Sequence, residues 1–556
     1  MLQFFANLWA NNRPMLILMA ILVVVIPFLV FYIRKATKEH PKGLIAAALS
    51  NMGERFGYYI MNAVLLLFIC SKFGISDDAA GWIYAVFYFL IYVLSLPGGM
   101  IADRTNKYKG TIITGLLVMA LGYGILSVPV FAETPGFSWV LILTCVALFI
   151  IAFGNGLFKG NLQAIVGQMY DNFEDEAAKK GPEELAKAKE KRDSGFQIFY
   201  VFINIGGVIA PFIAPLLRSF WLQLKGYAYN AQLPRLCHDF IANPEMSGTQ
   251  LESLQTLAAE AGHTGAVDVA FCNSYLEIFN TGVHFSFIAS VVAMLISLIV
   301  FVCVKKKLPN PVKKEKKAEV EYTAEEKAAN AKEIKQRLYA LFAVLGVAVF
   351  FWFSFHQNGQ SLSVFARDFV STGAIPPEIW QCINPLFVII LTPIIMLIFG
   401  SLAKKGKEVS TPRKIAIGMF IAACAYLFLM VIAMLQNYPS GSEFLGPNFT
   451  VAAREAMKCS PLVLIATYFF LTVAELFISP LGLSFVSKIA PRHLQGICQG
   501  LWLSATAIGN LFIALGVTML NTLSEQWMCW AVFAGFCLIS MGVMLGMVKW
   551  LEKVTK

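Results

Sequence analysis

Five ionisable side chains stand inside long apolar runs of this sequence: Glu54, Arg55, Lys159, His356 and Glu475. A charge near the centre of a lipid bilayer costs several kcal/mol, roughly 2.5–3.5 even on insertion scales. Five such groups in one chain therefore point to a polar pathway or proton relay rather than passive structure. The chemistry they offer is recognition of a zwitterion. Arg55 offers a planar fork and Lys159 a point charge for a carboxylate. Glu475 offers an anion for an ammonium. A carboxylate such as Glu54, desolvated next to a cation, changes partner when it binds a proton. Histidine binds a proton near neutral pH, which adds His356 to the candidate proton sites. The competing assignment for the set is purely structural helix-to-helix ion pairs.

Helical spacing groups these residues. Glu54 and Tyr58 lie at i,i+4, as do Arg55 and Tyr59, and Asn51 lies one turn earlier. Asn155 and Lys159 repeat the spacing, with Gly154, Gly156 and Gly160 beside them to allow close helix approach. Glu475 precedes Ser479 by one turn, and Pro480 then frees backbone groups that are best tolerated facing a cavity.

The elements that must hold these side chains are membrane helices. Of 556 residues, 58% are hydrophobic and only 14% charged, with a mean hydropathy of +0.66. A soluble globule could not hide that much apolar side chain, and a disordered chain would be far more polar. The apolar residues form long blocks, whereas a β-barrel alternates in segments of about ten. The net charge of +10 is a topology signal and does not indicate a nucleic-acid partner. Of the 44 Lys and Arg residues, 34 fall in or at the ends of one alternate set of loops, 8 in the other and 2 inside the membrane. The rich set is cytoplasmic by the positive-inside rule, and attraction to anionic membrane lipid follows.

Twelve spans are predicted. The first six run over 44–69, 81–102, 110–131, 138–168, 194–217 and 281–304. The second six run over 338–366, 378–402, 414–435, 460–487, 495–520 and 526–548. This gives an all-α, polytopic chain: a six-helix bundle over 44–304, a basic linker over 305–337 and a six-helix bundle over 338–556. Residues 1–43 carry an additional apolar block, Met15–Ile33, read as an uncleaved accessory transmembrane helix. Thr323 and Glu326 form a capping-box pattern before an expected surface helix in the linker. The external loop 218–280 is polar, with a short amphipathic helix expected over Leu251–Ala261. Two of the eleven cysteines, Cys237 and Cys272, share that loop, so a disulfide is an option in an oxidising compartment. No metal-ligand spacing, phosphate loop or nucleophile–base arrangement is present, so an enzyme, a metal and a cofactor are not expected.

Longer stretches around these residues resemble the proton-coupled oligopeptide transporter family of the major facilitator superfamily. NMGERFGYY (51–59) resembles its E-x-x-E-R-F-x-Y-Y motif, and YVLSLPGGMIADR (92–104) its second-helix signature. GNGLFKGNLQ (154–163) is similar to its G-x-G-x-x-K-x-N segment, and FQIFYVFINIGG (196–207) to its F-x-x-F-Y-x-x-I-N-x-G signature. INPLF (383–387), AELFISPLGLSFVSKIAP (474–491) and GLWLSATAIGN (500–510) match the eighth-, tenth- and eleventh-helix patterns. The resemblance covers residues 42–550.

It implies a major facilitator fold in a bacterial inner membrane, importing di- and tripeptides with protons as a monomer. Carried over, Arg55 and Lys159 match the carboxylate-side residues and Glu475 the acid that meets the amino terminus. Asn204 and Asn384 match residues that hold the peptide backbone. Tyr58, Tyr59, Tyr92, Ser479 and Trp502 match pocket-lining positions. There are two departures. Asn51 replaces the first Glu of the first-helix motif, and His356 stands where an acid often precedes a Gln. Proton coupling is therefore expected on Glu54, His356 and Glu475. The alternatives are a carrier of another small zwitterion or an anion on the same scaffold, and a non-transporting peptide sensor.

Overall fold

A computed structural model of the protein describes residues 40–41, 43–131, 138–309, 324–373, 375–405, 409–489 and 495–555. The expected accessory helix over Met15–Ile33 and the capping residue Thr323 lie outside the described residues. The described chain is helical. The first half contains α1 (Leu44–Phe73), α2 (Asp77–Val93), α3 (Ser95–Thr105), α4 (Tyr108–Ser127), α5 (Trp139–Ala178), α6 (Pro182–Leu224), α7 (Leu233–Ala242), α8 (Thr249–Glu260) and α9 (Val269–Val304). The second half opens with α10 (Ala324–Phe355), a 3-10 turn (His356–Gly359) and α11 (Ser361–Asp368). A second 3-10 turn (Pro377–Cys382) leads into α12 (Ile383–Lys404) and α13 (Thr411–Leu435). Next come α14 (Gly441–Phe444), α15 (Val451–Met457), α16 (Leu462–Ile489), α17 (Gln495–Leu511), α18 (Ala514–Thr522) and α19 (Gln526–Thr555).

Twelve spans in this set are long and apolar enough to cross a membrane, in the places the hydropathy blocks predict. They form the two six-helix bundles of a major facilitator fold. Local chemistry sets several ends. Gly74, at φ 63°, closes α1 in the left-handed conformation and returns its N–H to Cys70. Ser76 caps α2, accepting from Ala79 N, and Asp77 and Asp78 follow in the first turn. Asp268 caps α9 by accepting from Phe271 N at 2.7 Å. That cap extends α9 well beyond the expected start at 281. Its 36 residues make a rod of about 54 Å against a hydrocarbon core of about 30 Å, so its first turns project from the membrane.

Three expectations need adjustment. The linker helix is not a separate surface element: α10 runs from Ala324 without a break into the seventh span. That span then breaks at His356, where the 3-10 turn begins. Of the three glycines near Lys159, Gly154 and Gly156 do allow close approach, but a side chain on Gly160 would meet open space.

The close approach fixes α5. A Cβ on Gly156 would lie 2.4 Å from the Leu94 carbonyl oxygen, and one on Gly154 would lie 2.8 Å from that of Gly115. Helix α5 is thus wedged between α4 and the α2–α3 junction. Asn161 reinforces the contact by donating to the Gly98 carbonyl at 3.2 Å. This wedge sets the depth and rotation of Asn155 and Lys159. Gly156→Ala should therefore lower stability by about 1–3 kcal/mol or more, the range for overpacking, while Gly160→Ala should be neutral. Thermal unfolding in detergent checks both, and equal midpoints would remove the wedge.

Candidate functional site

On α1, Glu54 and Arg55 are adjacent and buried. The guanidinium donates twice to the neighbouring carboxylate, Nε to Oε2 at 2.6 Å and Nη2 to Oε1 at 2.8 Å. From α5, Asn155 Nδ2 donates to Glu54 Oε1 at 2.6 Å. Arg55 also lies over the Tyr58 ring, with Cζ 4.6 Å from its centroid. The Glu54–Arg55 pair is therefore neutral as a unit, and its hydrogen bonds are made inside the first bundle. Asn51 is buried one turn earlier.

Lys159 differs. Its Nζ lies 4.4 Å from the centre of the Tyr92 ring. Among the described residues it has no carboxylate within ion-pair distance. A quadrupole over one face of a ring compensates part of a charge and no more.

Glu475 is its counterpart in the second bundle. This buried carboxylate accepts from Asn384 Nδ2 on α12 at 2.9 Å and from the Tyr200 hydroxyl on α6 at 3.3 Å. Asn384 is held in turn by Thr472 Oγ1 at 3.0 Å. No Lys or Arg among the described residues pairs with Glu475. One bundle thus carries a cation without an anion, and the other carries an anion without a cation. The Tyr200–Glu475 hydrogen bond crosses between the bundles at this level.

The remaining candidates surround these groups with different partners. Asn204 is buried on α6, and its amide donates to the Tyr200 carbonyl at 3.0 Å. Tyr59 meets Tyr58 edge-on at 5.3 Å. Trp502 is buried, its ring lying where a side chain on Gly482 would stand. Ser479 is half-buried one turn beyond Glu475. His356 is buried at the helix break, stacked on Trp352 at 4.9 Å and edge-on to Tyr88 at 5.3 Å. Its Nδ1 shares a hydrogen bond with Asn510 on α17.

Several residues with a place here escape the sequence reading. Tyr84 and Tyr88 stack at 5.1 Å, and Tyr84 donates to Asn62 at 2.9 Å. Their i,i+4 run with Tyr92 was the available signal. Tyr200 had the same signal, four residues before Asn204. The larger omission lies at the external ends of the spans. Arg218 of α6 donates to Glu378 at 2.7 Å, and both are buried. The guanidinium of Arg218 also lies 4.1 Å over Tyr229. Arg367 of α11 grips Asp77 of α2 (2.7 Å) and Asp368 (2.6 Å). Gln360 donates to the Gly81 carbonyl at 3.0 Å. The Arg218–Glu378, Arg367–Asp77 and Gln360–Gly81 contacts join the first bundle to the second on the outer side. They revise the reading that only Arg55 and Lys159 are basic groups within the spans, since Lys72, Arg218 and Arg367 also lie inside candidate spans.

An apolar groove of about 890 Å³, lined by residues such as Ile45, Phe56, Phe202 and Ile288, opens elsewhere on the first bundle. Its described lining carries no ionisable side chain, and such a surface suits lipid tails rather than a zwitterion.

The chain as a whole has relatives among known proteins. The chain is 28% identical over 495 residues to the peptide transporter YePEPT of Yersinia enterocolitica, covering 86% of this chain and 87% of that protein. It is 26% identical over 542 residues to dipeptide and tripeptide permease B of Salmonella typhimurium, covering 93% and 96%. The fold is that of a solved peptide transporter POT in complex with sulfate, with a TM-score of 0.64 at 21% identity over 93% of this chain and 96% of that one. The POT family transporter PepTSo gives 0.64 at 17% identity, over 93% and 99%. A family model, PTR2, described as the POT family, matches residues 109–319 and 310–536. With the matched segments covering well over half of its length, the chain belongs to the POT family.

Proposed function

We propose that this chain is a secondary active transporter that imports di- and tripeptides together with protons by alternating access. The observation that carries the proposal is the complementary pair of uncompensated charges, Lys159 in one bundle and Glu475 in the other. A free peptide has a carboxylate and an ammonium roughly 7–10 Å apart for two or three residues at ~3.3–3.6 Å each. Bound with its carboxylate toward Lys159 and its ammonium toward Glu475, it supplies both missing partners and draws the bundles together. Asn204 and Asn384 hold the peptide backbone. Tyr58, Tyr59, Tyr92, Ser479 and Trp502 shape the pocket.

The Glu54–Arg55 pair is the proton-linked element. While Glu54 is ionised, it holds the guanidinium. A proton on Glu54 removes that attraction and releases Arg55 to join Lys159 on the substrate carboxylate. Asn51 cannot titrate, so His356 takes part of the coupling and Glu475 exchanges a proton as the ammonium arrives or leaves. Residues 44–304 and 338–556 move as the two units, and 305–337 links them. Residues 1–43 are an accessory segment. The protein acts as a monomer in a bacterial inner membrane and needs no cofactor beyond the proton gradient.

A second reading of His356 has an observation in its favour. A ring stacked on Trp352 and bonded to Asn510 is also how a packing histidine sits. His356→Gln decides between the two: full uphill, pH-driven uptake in that variant assigns the ring to packing.

The proposal is tested by uptake into proteoliposomes from a mixed peptide library, with and without an imposed pH gradient. Gradient-dependent accumulation is expected. A thermal-shift panel of dipeptides, tripeptides, amino acids and nitrate separates the alternatives. Stabilisation by nitrate alone would sink the peptide assignment, and binding without transport would indicate a sensor. Lys159→Ala and Glu475→Ala should each weaken peptide binding about 10–100-fold, the loss of one charge-assisted interaction. Unchanged affinity in either breaks the zwitterion scheme. Glu54→Gln should abolish accumulation yet leave peptide counterflow, because exchange moves no net proton. Undiminished accumulation removes Glu54 from the coupling.

The external clamp must open for peptide to enter. Removing one partner of a buried pair leaves the other uncompensated, at a cost of about 3–5 kcal/mol, whereas replacing both is far milder. Arg218→Met and Glu378→Leu should each lower the thermal midpoint, and the double variant should recover much of the loss. Simple additivity of the two losses would show that the pair is not coupled.

A further inference from the structure

The polar segment between α6 and α9 folds into an external platform. Its helices α7 and α8 lie beyond the outer ends of the spans, on the side opposite the basic loops. The platform touches the second bundle directly. Arg454 of α15 donates to Ser253 of α8 at 3.1 Å, and Thr249 donates to the Pro447 carbonyl. Arg454 is buried. The platform rests on the first bundle through α7 against the projecting end of α9. At that contact Cys237 of α7 and Cys272 of α9 are both fully buried, and the two side chains are close enough to interact. Both are free thiols in this structure. Other cysteines near the outer face have different neighbours. Cys70 donates to Asp77 at 3.3 Å, and Cys459 lies beside Tyr438.

Two thiols facing each other on the outer side of a membrane stand in an oxidising compartment. We propose that Cys237 and Cys272 are a disulfide-forming pair that covalently ties the external platform to the first bundle. The step is thiol–disulfide exchange with a disulfide oxidant of the outer compartment, before the pair is buried by the docking of α7. One thiolate attacks a sulfur of the oxidant, forming a mixed disulfide and expelling one thiolate. The second cysteine thiolate then attacks the mixed disulfide and expels the other. Two cysteine thiols are oxidised to one disulfide, and one oxidant disulfide is reduced to two thiols that keep the two protons. The bond makes α8 move with the first bundle. The Ser253–Arg454 and Thr249–Pro447 contacts then become connections that break and re-form as the outer side opens and closes.

Cysteine accounting on the full-length protein tests this. Cells are quenched with N-ethylmaleimide before lysis, and the protein is purified without reductant and labelled again after denaturation in SDS. Intact mass should show nine adducts on most molecules, eleven cysteines less the bonded two, rising to eleven when reduction precedes labelling. Digestion without reductant should yield one species joining the peptides of Cys237 and Cys272. A Cys237→Ser/Cys272→Ser variant should show nine adducts with or without reductant. Eleven adducts on most unreduced molecules would overturn the proposal. So would a bond from either cysteine to a different one.

Discussion

Desolvation of charge is the constraint from which the rest of this structure follows. A bilayer offers no water to a buried ion, so an ionised side chain must find a partner or face a polar path. The chain meets this in three ways. Glu54 and Arg55 neutralise each other within one helix turn. Arg218 with Glu378, and Arg367 with Asp77 and Asp368, neutralise each other at the outer ends of the spans. Among the described residues, Lys159 meets an aromatic face and Glu475 meets neutral hydrogen-bond donors. Paired charges hold helices in place, and the uncompensated ones mark where something from outside the chain is needed.

The position of each pair decides what it can control. Glu54–Arg55 belongs to the first bundle alone, so changing its protonation redistributes charge without moving one bundle against the other. Arg218–Glu378 and Arg367–Asp77 span the two bundles, so they break when the outer side opens. Their strength comes from geometry. Arg367 uses Nε, Nη1 and Nη2 on two carboxylates, and Arg218 adds the faces of Tyr229 and Phe279. Such a clamp is strong because it is buried. For the same reason it loses strength steeply once water reaches it, since the dielectric that raises the pair energy belongs to the closed state.

Much of this was legible in the residues. The spans follow from hydropathy blocks, because each helix must cross about 30 Å of hydrocarbon and no shorter element can. Glu54, Arg55, Lys159 and Glu475 stand out because a charge inside an apolar run has few innocent explanations. The clamp residues did not stand out. Arg218, Arg367 and Glu378 sit at the margins of apolar blocks, where a charge ordinarily anchors a helix end in water. Only the tertiary structure shows that two such margins meet and exclude it. The tyrosine ladder Tyr84–Tyr88–Tyr92 had a visible period, but aromatic repeats in membrane helices usually serve packing. The break at His356 had no signal in FSFHQNG beyond Gly359; in the fold, His356 bonds Asn510 there and Gly359 packs closely against Tyr84.

The same constraint accounts for coupling of substrate to movement under the proposed function. In passing between outward and inward states, the bundles close over the central site and strip water from it. An empty site would carry the Lys159 ammonium and the Glu475 carboxylate through that dry state without partners, at several kcal/mol per ion. A zwitterion in the gap cancels both terms with one molecule. Protonation of Glu475 cancels one of them, and loss of a proton from Lys159 cancels the other. A carrier built this way does not need a separate lock against uncoupled movement. The cost of an uncompensated charge is the lock, and substrate and proton are the two ways of relieving it.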